Sequence, residues 1–108
     1  MTPLELVQGQ LAAYNKHDLE TFCQFFSDDV TVRDGCTNEV LFEGMPAFKE
    51  RYAHTFSNPN LHCHLLNRIE QGNIVIDHER VEGLQNGAVF AIAVYEVQDS
   101  KIQVVRFY

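Results

Sequence analysis

The apolar residues of this chain change their period once, near Asn60, and that change limits the architecture more than any local motif does. Before it they recur at helical spacing. Leu4, Val7, Leu11 and Tyr14 form one stripe, with Thr2 as N-cap and Pro3 in the first turn, ending near Lys16-His17. Asp18 caps a second, short helix carrying Leu19, Phe22, Phe25 and Phe26. Ser27-Asp28-Asp29 reads as a turn and Val30-Thr31-Val32 as a strand closed by Asp34-Gly35. Val40-Leu41-Phe42 is a short return strand. A third helix runs from Met45 or Pro46 to Phe56, with Phe48, Tyr52 and Phe56 spaced four apart, and Ser57-Asn58-Pro59-Asn60 ends it. After Asn60 the period is two. Segments 61–69, 74–82, 88–97 and 102–107 read as strands, joined by short hairpin turns at Gln71-Gly72-Asn73, Gln85-Asn86-Gly87 and Asp99-Ser100. Helices followed by an antiparallel meander predict an α+β fold with the helices on one face of a curved sheet, an arrangement that leaves a concave pocket.

At 108 residues the chain is expected to form a single domain spanning 1–108, and 45% hydrophobic content with eight Phe and four Tyr supports a packed core. A net charge of −7 argues against nucleic acid and against an anionic membrane surface as partners. No apolar run approaches the ~20 residues that span a bilayer. The segment MTPLELVQGQ lacks the basic and apolar regions of a signal peptide, so none is expected. Cys23, Cys36 and Cys63 are odd in number and lack CxxC spacing, which fits free thiols in a reducing cytoplasm. His62-Cys63-His64 invites a metal reading. However, alternation with Leu61, Cys63 and Leu65 inward turns both imidazoles outward, and no third and fourth ligand is evident. No metal is expected, and in the absence of a phosphate loop or dinucleotide fingerprint no cofactor either.

The segment from Ile74 to Gly83 carries most of the concentrated charge. Ile74, Ile76, His78, Arg80 and Glu82 share one strand face, and Val75, Asp77, Glu79 and Val81 share the other. Both faces begin apolar and both carry charge, so alternation alone leaves open which is inside. Asp34 poses a similar choice: a carboxylate raised in pKa by an apolar pocket, or the first residue of an Asp-Gly turn.

The order of elements, together with LAAYNKHDLETFCQFFSDDVTVRD (11–34), FEGMPAFKERYAHTF (42–56), NIVIDHERVEG (73–83) and AVYEVQDSKI (93–102), resembles the nuclear transport factor 2-like superfamily, in its ketosteroid isomerase-like and SnoaL-like branch. The resemblance implies a cone (a cystatin-like fold) in which three helices plug a strongly bent, mostly antiparallel sheet around an apolar pocket. It also implies a homodimer through the outer sheet face. In the isomerase branch, an aspartate matching Asp34 is the base that moves a proton beside a carbonyl. The oxyanion donors of that branch fall on Gln10 and Ala93, and Ala93 cannot donate. Tyr14 and Tyr95, close by on the same elements, are the expected substitutes. In the epoxide hydrolase branch an inward Arg-x-Asp pair is nearly matched by Arg80-Val81-Glu82, with Glu in place of Asp, and a further inward aspartate of that branch falls on Phe107.

These matches predict a small apolar organic ligand and cofactor-free acid–base chemistry, such as isomerisation or cyclisation. Asp34, His78 and Arg80 are the candidate catalytic residues. Gln10, Tyr14, Phe26, Tyr52, Glu82, Tyr95 and Phe107 are the candidate substrate contacts. On this reading His78, Arg80 and Glu82 point inward, and Asp77 and Glu79 outward. The departures at Ala93 and Phe107 keep open a non-catalytic ligand-binding or dimerisation module, or an interaction subunit of a larger complex.

Overall fold

The computed structural model describes residues 1–85 and 87–108. Three helices and six strands follow the order α1 (Pro3–Asn15), α2 (Leu19–Cys23), β1 (Phe26–Asp34), β2 (Val40–Glu43), α3 (Met45–Phe56), β3 (His62–Gln71), β4 (Ile74–Glu82), β5 (Val89–Gln98) and β6 (Lys101–Phe107). This is the α+β arrangement the change of period predicts.

Local sequence explains where the helices begin. The Thr2 hydroxyl accepts from the Glu5 amide at 3.2 Å while the Glu5 carboxylate accepts from the Thr2 amide at 2.9 Å, a reciprocal capping box. Asp18 caps α2 by accepting from the Thr21 amide. The buried face of α1 carries Leu6, Val7, Gln10, Leu11 and Ala13, and Leu4 is exposed, so the inward stripe is rotated from the one that begins at Leu4. The second helix is also shorter than expected. It stops at Cys23, and Phe26 to Asp29, read in part as helix and in part as turn, is extended in β1. Pairing with the far end of the chain outweighs local turn chemistry there: Phe26 lies opposite Ile102, and the Ile102 amide donates to the Phe25 carbonyl at 2.9 Å.

All six strands form one sheet in the order β2-β1-β6-β5-β4-β3, antiparallel except for the β1–β6 pair. The last strand therefore sits in the middle, between the first strand and the meander. Register shifts at Val32/Arg33 in β1, Leu65/Asn67 in β3 and Glu96/Val97 in β5 each bend the sheet. Gly72-Asn73 and Asp99-Ser100 make two-residue hairpins, and Asp99 and Ser100 both adopt positive φ. Asn86, the centre of the expected third turn, lies outside the described residues.

The helices cover the inner face of the curve. Phe22 is the hub of the core, its ring lying 4.8–6.0 Å from those of Tyr14, Phe26, Phe48, Tyr52 and Phe56. The last turn of α1 is fastened to β3 by Asn15, whose side chain exchanges two hydrogen bonds with the Cys63 backbone at 2.8 and 3.0 Å. Tyr14, Phe22, Phe26, Tyr52 and Cys63 from these contacts also border an internal space.

Candidate functional site

The inner face of β4 is Val75, Asp77, Glu79 and Val81, all buried. This reverses the expected orientation of the strand. The physical reason lies on β3, where Arg68 stands opposite Asp77. Its guanidinium donates from Nε to Asp77 Oδ1 at 2.6 Å and from Nη2 to Oδ2 at 2.8 Å, and Nη1 reaches Gln8 of α1 at 2.7 Å. A buried carboxylate is tolerated when paired in this bidentate way. Asp77, fully buried, is thus charge-compensated from the neighbouring strand and tied to the first helix.

Two residues on, Glu79 has a different environment. It lines a cavity of about 250 Å³, together with Tyr14, Tyr52, Cys63, Tyr95 and mostly apolar residues. The Cys63 thiol donates to Glu79 Oε2 at 3.3 Å, and no cation pairs with Glu79 among the described residues. Burial pushes its pKa up to about 7. The neighbouring Asp77 adds to the rise, while the Cys63 hydrogen bond and Arg68 oppose it. Burial, with the Glu79 charge added, also raises the hydroxyls of Tyr52 and Tyr95 and the thiol of Cys63. For Tyr14 burial again leads, followed by its neighbours Tyr52, Cys63 and Glu79. These groups stay protonated as hydrogen-bond donors across the neutral range. Tyr95 Oη accepts from Gln10 Nε2 at 3.2 Å, keeping its own proton free to donate. Ala91 and Ala93 stand opposite Glu79 and Asp77 on β5, so the strand beside the carboxylates carries only methyl groups.

Of the residues singled out from sequence, Gln10, Tyr14, Phe26, Tyr52, Tyr95 and Phe107 line this cavity. Four others lie elsewhere. Asp34 forms a turn: its Oδ1 accepts from the Cys36 and Thr37 amides at 2.8 and 3.1 Å, and it is absent from the cavity wall. His78 is exposed on the outer sheet face, its ring 6.4 Å from that of Phe90. Arg80 and Glu82 share that face, where Arg80 Nη2 donates to Glu82 Oε1 at 2.7 Å and His64 approaches the same oxygen at 3.0 Å. The Arg80–Glu82 pair is therefore satisfied outside, and the ionisable group the cavity holds in their stead is Glu79. The signal available in the sequence was the Gly72-Asn73 turn. Counting back from a two-residue hairpin places Arg68 opposite Asp77, and a buried ion pair marks the inner face.

A family model for the SnoaL-like domain matches residues 7–105. The chain belongs to this family. Among solved structures, it is similar to an uncharacterised cystatin-fold protein from Novosphingobium aromaticivorans at 24% identity, with a TM-score of 0.89 over 100% of this chain and 98% of that one. A candidate polyketide cyclase from Sinorhizobium meliloti aligns at 14% identity and a TM-score of 0.82, covering 100% of both chains. A protein with a ketosteroid isomerase-like fold from Catenulispora acidiphila, in complex with trimethylamine, aligns at 19% identity and a TM-score of 0.78, covering 100% of this chain and 86% of that one. At these identities the likeness establishes the SnoaL-like chain's fold and nothing of its chemistry. No curated protein matches the chain. No helix among the described residues is long and apolar enough to cross a membrane.

Proposed function

We propose that this SnoaL-like chain binds a small organic molecule in the cavity and moves a proton on it, as a cofactor-free isomerase or cyclase would, with Glu79 as the base. One observation carries the reading: a carboxyl on the cavity wall, without a cationic partner among the described residues, whose pKa burial lifts to about 7. At neutral pH about half of such a base is ionised, and its basicity is matched to accepting a proton from carbon beside a carbonyl. Tyr14, Tyr52 and Tyr95 supply hydrogen-bond donors for the oxyanion that forms, the role that Ala93 cannot fill. Asp34, His78 and Arg80 have no part in this scheme, because their polar groups lie on a turn and on the outer sheet face.

Deuterium exchange into the α-positions of a small ketone tests the proposal. The wild-type rate is expected to rise with pH through about 7 as Glu79 loses its proton. Glu79→Gln should slow exchange by about 10²–10⁴-fold while ketone affinity changes little. Equal rates in the two proteins would remove Glu79 from the mechanism.

A second reading has an observation of its own. An ionised Glu79 facing aromatic walls suits a small organic cation, and a structural neighbour was crystallised with trimethylamine. A non-catalytic ammonium-binding module would show trimethylamine affinity that rises through pH 7, is lost in Glu79→Gln, and is accompanied by no exchange.

The outer sheet face supports a homodimer. Ile69, Ile76 and Val94 run across β3, β4 and β5 in register, with Ile92 and Phe90 continuing the apolar surface beside them. Ile69 and Phe90 are each 64% exposed in the single chain.

A further inference from the structure

Resting on the acid–base reading above, we infer that the substrate is a compact, uncharged ketone or enone of one or two rings. Volume comes first. An engineered cavity of ~150 Å³ takes up benzene, and drug-sized ligands occupy ~300–1,000 Å³. A cavity of about 250 Å³ falls between them.

Side chains set that size. Phe22 and Tyr52 bound the cavity, and the Phe22 ring packs against those of Phe48, Tyr52 and Phe56 at 4.8–5.7 Å, which leaves no room among them. Free space is left instead beside Glu79, where β5 contributes Ala91. Leu84 and Val89, both exposed, stand at the rim.

Chemistry narrows the class further. The cavity has no cation among its lining residues, and the nearest guanidinium, Arg68, is engaged by Asp77 and Gln8. A phosphate, a carboxylate or a phosphorylated carrier would enter a mostly apolar space against Glu79, on a chain of net charge −7, with no cation among the described lining residues to pair it. What the walls offer is hydroxyl donors and a base, set among apolar surface. A ligand that uses both has one carbonyl oxygen, an acidic C–H close to it, and hydrocarbon beyond. For a β,γ-enone, Glu79 would take a proton from the carbon between the carbonyl and the double bond. The electron pair shifts to the oxygen, which the tyrosine hydroxyls hold. The same proton then returns to the γ-carbon, giving the conjugated enone with no net gain or loss of atoms or electrons.

A size series tests the inference. Isomerisation of cyclohex-3-enone, of a bicyclic β,γ-octalone and of a tetracyclic β,γ-steroid enone would be followed by absorbance. Binding of the saturated ketones of the same sizes would be followed through the tyrosine ring NMR signals. The one- and two-ring compounds should bind and turn over, and the tetracyclic one should fall at least about 100-fold in kcat/KM and fail to bind. Ala91→Leu, which fills the space beside the carboxylate, should exclude the octalone before it excludes cyclohexenone. Binding of the steroid as readily as of cyclohexenone, or failure of every ketone to bind, overturns the inference. Size-dependent binding without turnover above Glu79→Gln upholds the substrate class and removes the acid–base reading instead.

Discussion

Asp77 and Glu79 are two carboxylates on the same face of the same strand, and their neighbours give them different tasks. Asp77 is consumed by a bidentate pair with Arg68, whereas Glu79 meets only a thiol and an open space. Electrostatically the pair then acts on Glu79 from both sides, Asp77 raising its pKa and Arg68 lowering it. Removing each partner should therefore move the exchange profile in opposite directions. Asp77→Asn leaves the Arg68 charge uncompensated and should shift the inflection below 7, and Arg68→Gln leaves Asp77 bare and should shift it upward. Breaking a buried pair costs ~3–5 kcal/mol, so circular dichroism must first establish that each variant is folded. The double variant is the control: it should return the inflection towards the wild-type value. Shifts of the same sign would mean that the pair only holds the structure. At this scale the sequence was least legible. Ile74 and Ile76 on the outer face are as apolar as Val75 and Val81 on the inner one, so alternation could not tell inside from outside. Asp34 was ambiguous for another reason: Asp before Gly serves a turn as readily as a pocket, and here two backbone amides claim it.

Elements were easier to read than their ends. The capping box at Thr2 and the aspartate cap at Asp18 start α1 and α2 where local chemistry puts them. The ends set by distant partners were not visible, as with Phe26, which leaves α2 to pair with Ile102 on β6. Gly83, just beyond β4, is another such site. It has φ of +84°, and a Cβ placed there would meet the Asn60 backbone at 2.4 Å. The Asn58 side-chain amide also donates to the Gly83 carbonyl, so the loop after α3 is clamped to the rim of the cavity. Gly72 has a comparable φ of +58° but open space around it. Thermal denaturation should separate the two effects. Gly72→Ala should cost about 1 kcal/mol for the strained φ alone, and Gly83→Ala should cost about 2–4 kcal/mol because backbone must also move. Equal losses would show that the clamp contributes nothing.

For the whole molecule, the change of period at Asn60 was enough to predict helices on a bent sheet, and the family match over residues 7–105 agrees with it. Which strand face lines the cavity depends on pairing between β3 and β4, a property of the assembled sheet rather than of either segment. The apolar outer face is also a property of the assembly. If it joins two copies, the chain should sediment at twice its monomer mass, and Ile92→Asp should return it to the monomer, because a carboxylate there would be buried without a partner. Wild-type protein that is already monomeric would exclude the dimer. The central claim concerns one carboxyl group, and it can be observed directly by carbon-13 NMR titration of the Glu side chains, with Glu79→Gln identifying the resonance. An inflection near 7, present in the wild type and missing from the variant, is the expected result. A Glu79 that titrates near 4.5, its ordinary value, would contradict the claim and leave the cavity without a base.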